Sequence, residues 1–114
     1  MIAVIFEVIP KPGMALRYFE IAADLKPMLE ATDGFISVER FESIVQPGKY
    51  LSLSFWRDED AVRAWRTHAL HRGGQQEGRS NVFADYRLRV AGVMRDYGMF
   101  DRAQAPQDSL SYLI

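Results

Sequence analysis

Between residues 65 and 79 the chain reads WRTHALHRGGQQEGR, which places Trp65, His68, His71 and Arg72 within eight positions. Imidazole is the side chain whose ordinary titration falls nearest neutral pH. In an apolar setting it is held neutral and can accept a proton or ligate iron, whereas the free carbonyls at a helix end favour the protonated ring. On a helix turning about 100° per residue, Trp65 and His68 lie about 60° apart and share a face, and Trp65 and His71 lie about 120° apart. His71 and Arg72 stand three and four residues after His68. The stretch thus offers a proton-transfer group, a cation for developing negative charge and an aromatic wall, with His68 and His71 as rivals for the first role. An inert histidine bonded to a backbone carbonyl and a Trp65 packed in the core are the structural alternatives.

Glu7 is a second candidate, because it interrupts the apolar run IAVIFEVI. A buried carboxylate must be paired, hydrogen-bonded or protonated. Arg87 or Arg89 on the last strand can face it across the sheet. Otherwise it is an acid or base with a raised pKa at the floor of a pocket.

What surrounds these groups is bounded by composition. A chain of 114 residues makes one domain with a proper core. Without cysteine it has no disulfides, no thiolate metal site and no thiol nucleophile. Fourteen basic residues against fifteen acidic ones, spread without a basic block, argue against nucleic-acid binding and against an anionic membrane surface. The N-terminus has no basic leader, and no apolar run is long enough to span a bilayer, so a soluble cytoplasmic protein is expected.

The positioning elements follow from periodicity. Residues 2 to 9 read as a strand ending at Pro10, and residues 14 to 32 as a helix with a kink or restart at Pro27. Residues 35 to 44 and 49 to 56 read as the second and third strands; in the third, Leu51, Leu53 and Phe55 oppose Ser52, Ser54 and Trp56. Asp58 caps a second helix that runs to Arg72, is weakened by Gly73 and Gly74, and resumes toward Arg79. The last strand falls at about 84 to 95. A polar tail follows, ending in the apolar cluster Leu110, Tyr112, Leu113 and Ile114, which is expected to dock on something.

Strand, helix, strand, strand, helix, strand is the βαββαβ order of an α+β, ferredoxin-like domain with a four-stranded antiparallel sheet, its first and third strands central and both helices on one face. The first strand is apolar on both sides, and each large side chain left in water would cost on the order of 1.5 to 3 kcal/mol. A two-fold homodimer, sheet against sheet, removes that cost. The alternative is that the tail folds back over the sheet.

The run from Leu51 to Gly98, together with DGFISVERF, resembles the antibiotic biosynthesis monooxygenase family. The resemblance covers residues 1 to 98, leaving 99 to 114 as a C-terminal tail, and is strongest from 50 to 98. It is carried by Trp56, Trp65, His71, Arg72, Gln75, Gly78, Arg79, Phe83 and Tyr86. It implies a dimeric α+β barrel of ferredoxin-like subunits and an oxygen-dependent monooxygenase of a small aromatic or quinol-type substrate, working with no cofactor and no metal. In that reading His71 is base or proton relay, Arg72 and Tyr86 stabilise oxyanion charge, and Trp65, His68, Glu7, Trp56 and Phe83 bind substrate. A haem-degrading activity with His71 as axial ligand is an alternative. Against it, the first-strand asparagine of that subgroup is replaced by Glu7. A non-catalytic dimer binding a small hydrophobic ligand is the alternative from another class.

Overall fold

The structure, a computed structural model, describes residues 1–109 apart from the side chains of Ala69, Leu70 and His71. The elements are β1 (Ile2–Pro10), α1 (Ala15–Ala31), β2 (Phe35–Glu42), β3 (Tyr50–Trp56), α2 (Glu59–Thr67), α3 (Ala69–Glu77), a π-helical turn (Gly78–Val82) and β4 (Phe83–Gly92). The four strands pair antiparallel in the order β2-β3-β1-β4, so β1 and β3 are central, as in a ferredoxin-like fold. The apolar ending expected to dock, residues 110 to 114, lies outside the described residues. No described helix is long and apolar enough to cross a membrane.

Two local expectations change. Helix α1 runs through Pro27 as one helix from Ala15 to Ala31, with no restart. Pro27 and Ala23, whose carbonyl loses its intrahelical partner, are both exposed, so water can satisfy the lost bond. The second helix breaks at His68, not at the glycines. Thr67 Oγ1 donates to the carbonyls of Arg63 (2.9 Å) and Ala64 (3.3 Å), and His68 adopts an extended conformation. Such back-bonding competes with continuation of the helix. The His68 carbonyl then accepts from Arg72 N at 2.9 Å, and α3 proceeds through both glycines.

Close packing explains two of the glycines. A Cβ on Gly74 would lie 3.0 Å from Leu25 Cδ1 and 3.3 Å from Ile21 Cγ2, so its absence lets α3 approach α1. At Gly34, φ is +89° and a Cβ would come within 2.6 Å of that of Ala61, at the start of α2. The Gly34 carbonyl accepts from Arg57 N at 2.7 Å, while the Arg57 guanidinium holds Asp33 through bonds of 3.1 and 3.0 Å. One residue on, the Asp58 carboxylate accepts from Ala61 N at 2.9 Å and caps α2.

All three helices lie on one side of the sheet. Register assigns Ile2, Val4, Phe6 and Val8 of β1, Tyr50, Ser52, Ser54 and Trp56 of β3, and Val38 and Arg40 of β2 to that side. The other side carries Ala3, Ile5 and Glu7 beside Phe55, Leu53 and Leu51. The helix-side core is in two parts. One centres on Leu29, Trp56, Ala61 and Val62, the other on Val8, Tyr18 and Val82.

Candidate functional site

Between the two core clusters lies a cavity of about 180 Å³, roughly ten times what one water needs. Its floor is two rows across the sheet: Arg40, Ser52, Phe6 and Leu88, then Val38, Ser54, Val4 and Val90. Ser52 and Ser54 are small side chains set between Tyr50 and Trp56 on the same face of β3, and this dip makes the void. Ile21 and Leu25 of α1, Val62 and Trp65 of α2, and Gln75 of α3 stand above it. The lining is mainly aliphatic and aromatic with a few convergent polar groups, the composition of a small-molecule site.

Trp56 is 1% exposed, donates its indole N–H to Ser54 Oγ at 2.9 Å and meets Phe35 edge to face. It is therefore a fixed wall. Trp65 is half-buried, lines the cavity and stacks on His68 with ring centroids 6.4 Å apart and planes 20° apart. His68 itself lies at the α2–α3 junction and is not among the cavity-lining residues. Phe83 lines the cavity, and its position is set from behind, since a Cβ on Gly78 would lie 2.7 Å from its ring.

A second, wider cavity adjoins the first, sharing Phe6, Arg66, Gln75 and Phe83 with it. Arg72, Arg79 and Tyr86 line only this outer space, so Arg72 and Tyr86 come together at the mouth and not at the floor. The mouth is open along β4: Tyr86, Leu88 and Val90 point to the helix side yet are 46, 45 and 43% exposed. Among the described residues, no Asp or Glu lines either cavity.

Glu7 forms the cross-strand ion pair that was its first alternative, and its pocket role is the correction. It lies on the helix-free side, paired with Arg89 at 3.2 Å and Lys49 at 3.8 Å, and it lines neither cavity. Its ion pair is diagonal, since Arg87 is the residue directly opposite in register. The β1 side chains that reach the cavity are Val4 and Phe6, so the first strand brings no amide donor of the kind haem degradation would use. The His71 side chain, expected as the base, lies outside the described residues.

Sequence reasoning passed over Arg40, Ser52, Ser54 and the α1 side chains above them. The alternation of β3 contained the signal, with serines where a core strand facing helices would carry large apolar groups. It also passed over the clasp between α1 and α3. Arg17 grips Glu77 with two bonds of 2.6 and 2.7 Å, and that guanidinium holds the Glu77 carboxyl below the usual range.

The family model described as Antibiotic biosynthesis monooxygenase matches residues 1–77. A Pyricularia oryzae protein named jasmonate monooxygenase ABM is 50% identical over 93 residues, covering 82% of this chain and 43% of its own length. This chain therefore spans less than half of that relative. The Bacillus subtilis protein YqjZ, described as uncharacterized, is 32% identical over 78 residues, covering 68% of this chain and 67% of its own. Among solved structures, Rv0793 from Mycobacterium tuberculosis superimposes with a TM-score of 0.75 at 17% identity, covering 83% of this chain and 96% of that one, a likeness of fold.

Proposed function

The chain belongs to the antibiotic biosynthesis monooxygenase family, and on that premise we propose that it is an oxygen-dependent monooxygenase of a small, largely apolar substrate, working without a cofactor. The observation that carries this reading is the sheltered cavity over the Ser52–Ser54 dip, walled by Trp56 and Trp65 and continuous with an arginine-lined mouth. Such a space suits a substrate that supplies the electrons itself.

An anthrone-type substrate meets this requirement. A base removes a proton from the activated CH2, leaving an electron-rich carbanion or enolate. That anion transfers an electron to dioxygen and the two radicals join, forming a C–O bond to a peroxide. Loss of the second hydrogen as the O–O bond breaks leaves a carbonyl, and the other oxygen atom departs as water. The protein's share is a base, fixed positive charge near the developing oxyanion and exclusion of bulk water. His71 is the proposed base, and Arg72 with Tyr86 at the mouth the proposed stabilising pair; the apolar walls strengthen every charge interaction inside.

The Pyricularia relative favours a second substrate class, jasmonate-type alicyclic keto acids, over aromatic quinols. Oxygen uptake and product mass with a panel of quinols, anthrones and jasmonate test both. Turnover that falls at least a hundredfold in His71→Ala supports the mechanism; no uptake with any member, or equal uptake by the variant, returns the protein to a ligand-binding role. Hemin titration is the parallel control, and a Soret band lost in His71→Ala would replace the cofactor-free reading.

We also propose a homodimer through the helix-free side. Ile5, Leu51, Leu53 and Phe55 form a contiguous half-exposed block there, with the more exposed Phe41 beside Leu51 on β2. Pairing two such blocks buries what a lone subunit would leave wet. Light scattering measures the mass directly.

A further inference from the structure

We propose that Arg40 is the anchor for a carboxylate on the substrate, which enters with its acid group leading and its apolar body trailing toward β4. This rests on the inner cavity being the substrate site. Arg40 projects from β2 on the helix side and lines the inner cavity. Among the described residues it has no ion pair, and its one side-chain hydrogen bond is the donation from Nε to the Tyr18 hydroxyl at a long 3.4 Å. Its guanidinium carbon stands 5.9 Å from the Tyr18 ring centroid, at the outer limit of a useful cation–π contact. A half-buried guanidinium with most of its donors unspent, in a cavity with no Asp or Glu in its lining, is a cation awaiting an anion.

The neighbouring groups suit an acid. Tyr18 accepts from Arg40 and so keeps its own proton to donate. Ser52, directly opposite Arg40 on β3, carries a second hydroxyl within reach. The planar fork of arginine matches the two oxygens of a carboxylate, which makes it more selective than a point charge. Position sets direction as well. Arg40 is on one edge strand, and the mouth opens over Tyr86, Leu88 and Val90 on the opposite edge strand. A ligand held by its acid at Arg40 therefore spans the cavity floor and presents its far end to the mouth, beside Arg72 and Tyr86.

The test is equilibrium binding at neutral pH without oxygen, read by the fluorescence of Trp56 and Trp65, so that it is independent of any turnover. The probes are 4-phenylbutyrate and its neutral analogue 4-phenylbutyramide. Wild type is expected to bind the acid at least tenfold more tightly than the amide. Arg40→Met, which keeps the apolar stem, should abolish that preference while binding the amide within about twofold of wild type. Arg40→Lys, keeping charge without the fork, should restore part of the preference and guards against misfolding of the methionine variant. Equal binding of acid and amide by wild type, no binding of either probe at millimolar concentration, or a preference that survives in Arg40→Met would overturn the assignment. So would a preference lost in Arg66→Met and kept in Arg40→Met, which would move the anion to the mouth. Failure of the oxygenase reading alone, seen as absent oxygen uptake, leaves this binding result intact.

Discussion

The two sides of this sheet are built from the same strands and do opposite things. On the helix-free side, Leu51, Leu53 and Phe55 of β3 meet Ile5 and Ala3 of β1 in a continuous apolar block bordered by the ion-paired Glu7. On the helix side the intervening residues are Ser52 and Ser54, and the helices bridge over them instead of filling the space. The apolar block is the proposed surface for association, and the serine dip the proposed place for a ligand. Hydrophobicity alone would have assigned them the other way round, with the leucines under the helices. In this chain the richer apolar face of β3 is the one the helices leave bare.

The contrast is broken most severely by a charge on the bare side. Leu53→Asp puts a carboxylate at the centre of the proposed dimer interface, and the expected cost is on the order of 3 kcal/mol or more. Light scattering should show monomer and thermal melts a lower midpoint, with phenylbutyrate still bound; an unchanged dimer would remove the interface from that side.

Gly78→Ala acts from behind the helix-side site. The new Cβ would lie 2.7 Å from the Phe83 ring and push it toward the cavity, so a loss of about 1 to 3 kcal/mol is expected from overpacking. Denaturant unfolding gives the stability, and weaker probe binding should accompany it because Phe83 lines both cavities.

Filling the dip separates function from stability. Ser52→Leu adds an apolar side chain to existing space, so the melting temperature should hold or rise by the equivalent of about 1 kcal/mol. Ligand binding and turnover should fall at least tenfold. Ser54 is a poorer choice, since its loss strands the Trp56 indole N–H at a cost of about 1 to 3 kcal/mol. Normal binding in Ser52→Leu would show that the void is not the site.

A change of pH acts on the helix side alone and costs least. Arg17 holds the Glu77 carboxyl low, so the clasp between α1 and α3 is intact above the ordinary glutamate range and is lost as pH falls through the depressed folded value. Amide exchange in α3 should quicken over that acidic window while exchange in β1 and β3 does not. Glu77→Gln should make α3 behave at neutral pH as wild type does in acid.

Much of this architecture was legible in the chain. A run of β-branched and aromatic residues marked β1, apolar alternation marked β2 and β3, and Asp58 marked the start of α2. Where the reading erred, a local signal was overridden by packing. Gly73 and Gly74 read as a weak point of the helix because glycine costs about 1 kcal/mol there. Gly74 is nonetheless helical, because only a missing Cβ lets α3 sit against Leu25 and Ile21. Glu7 read as a candidate pocket acid because parity along a strand does not say which side a helix will occupy.

Local pattern alone sets the order of elements, the two-residue alternation along each strand and therefore which residues travel together on one face. Tertiary structure decided which of those faces the helices cover. It thereby made Arg40, Ser52 and Ser54 cavity residues and turned Glu7 outward. The physical reason is that alternation has a period and no sign. The sign comes from long-range contacts of α1 and α2 with Val4, Val38 and Trp56, which no local pattern encodes.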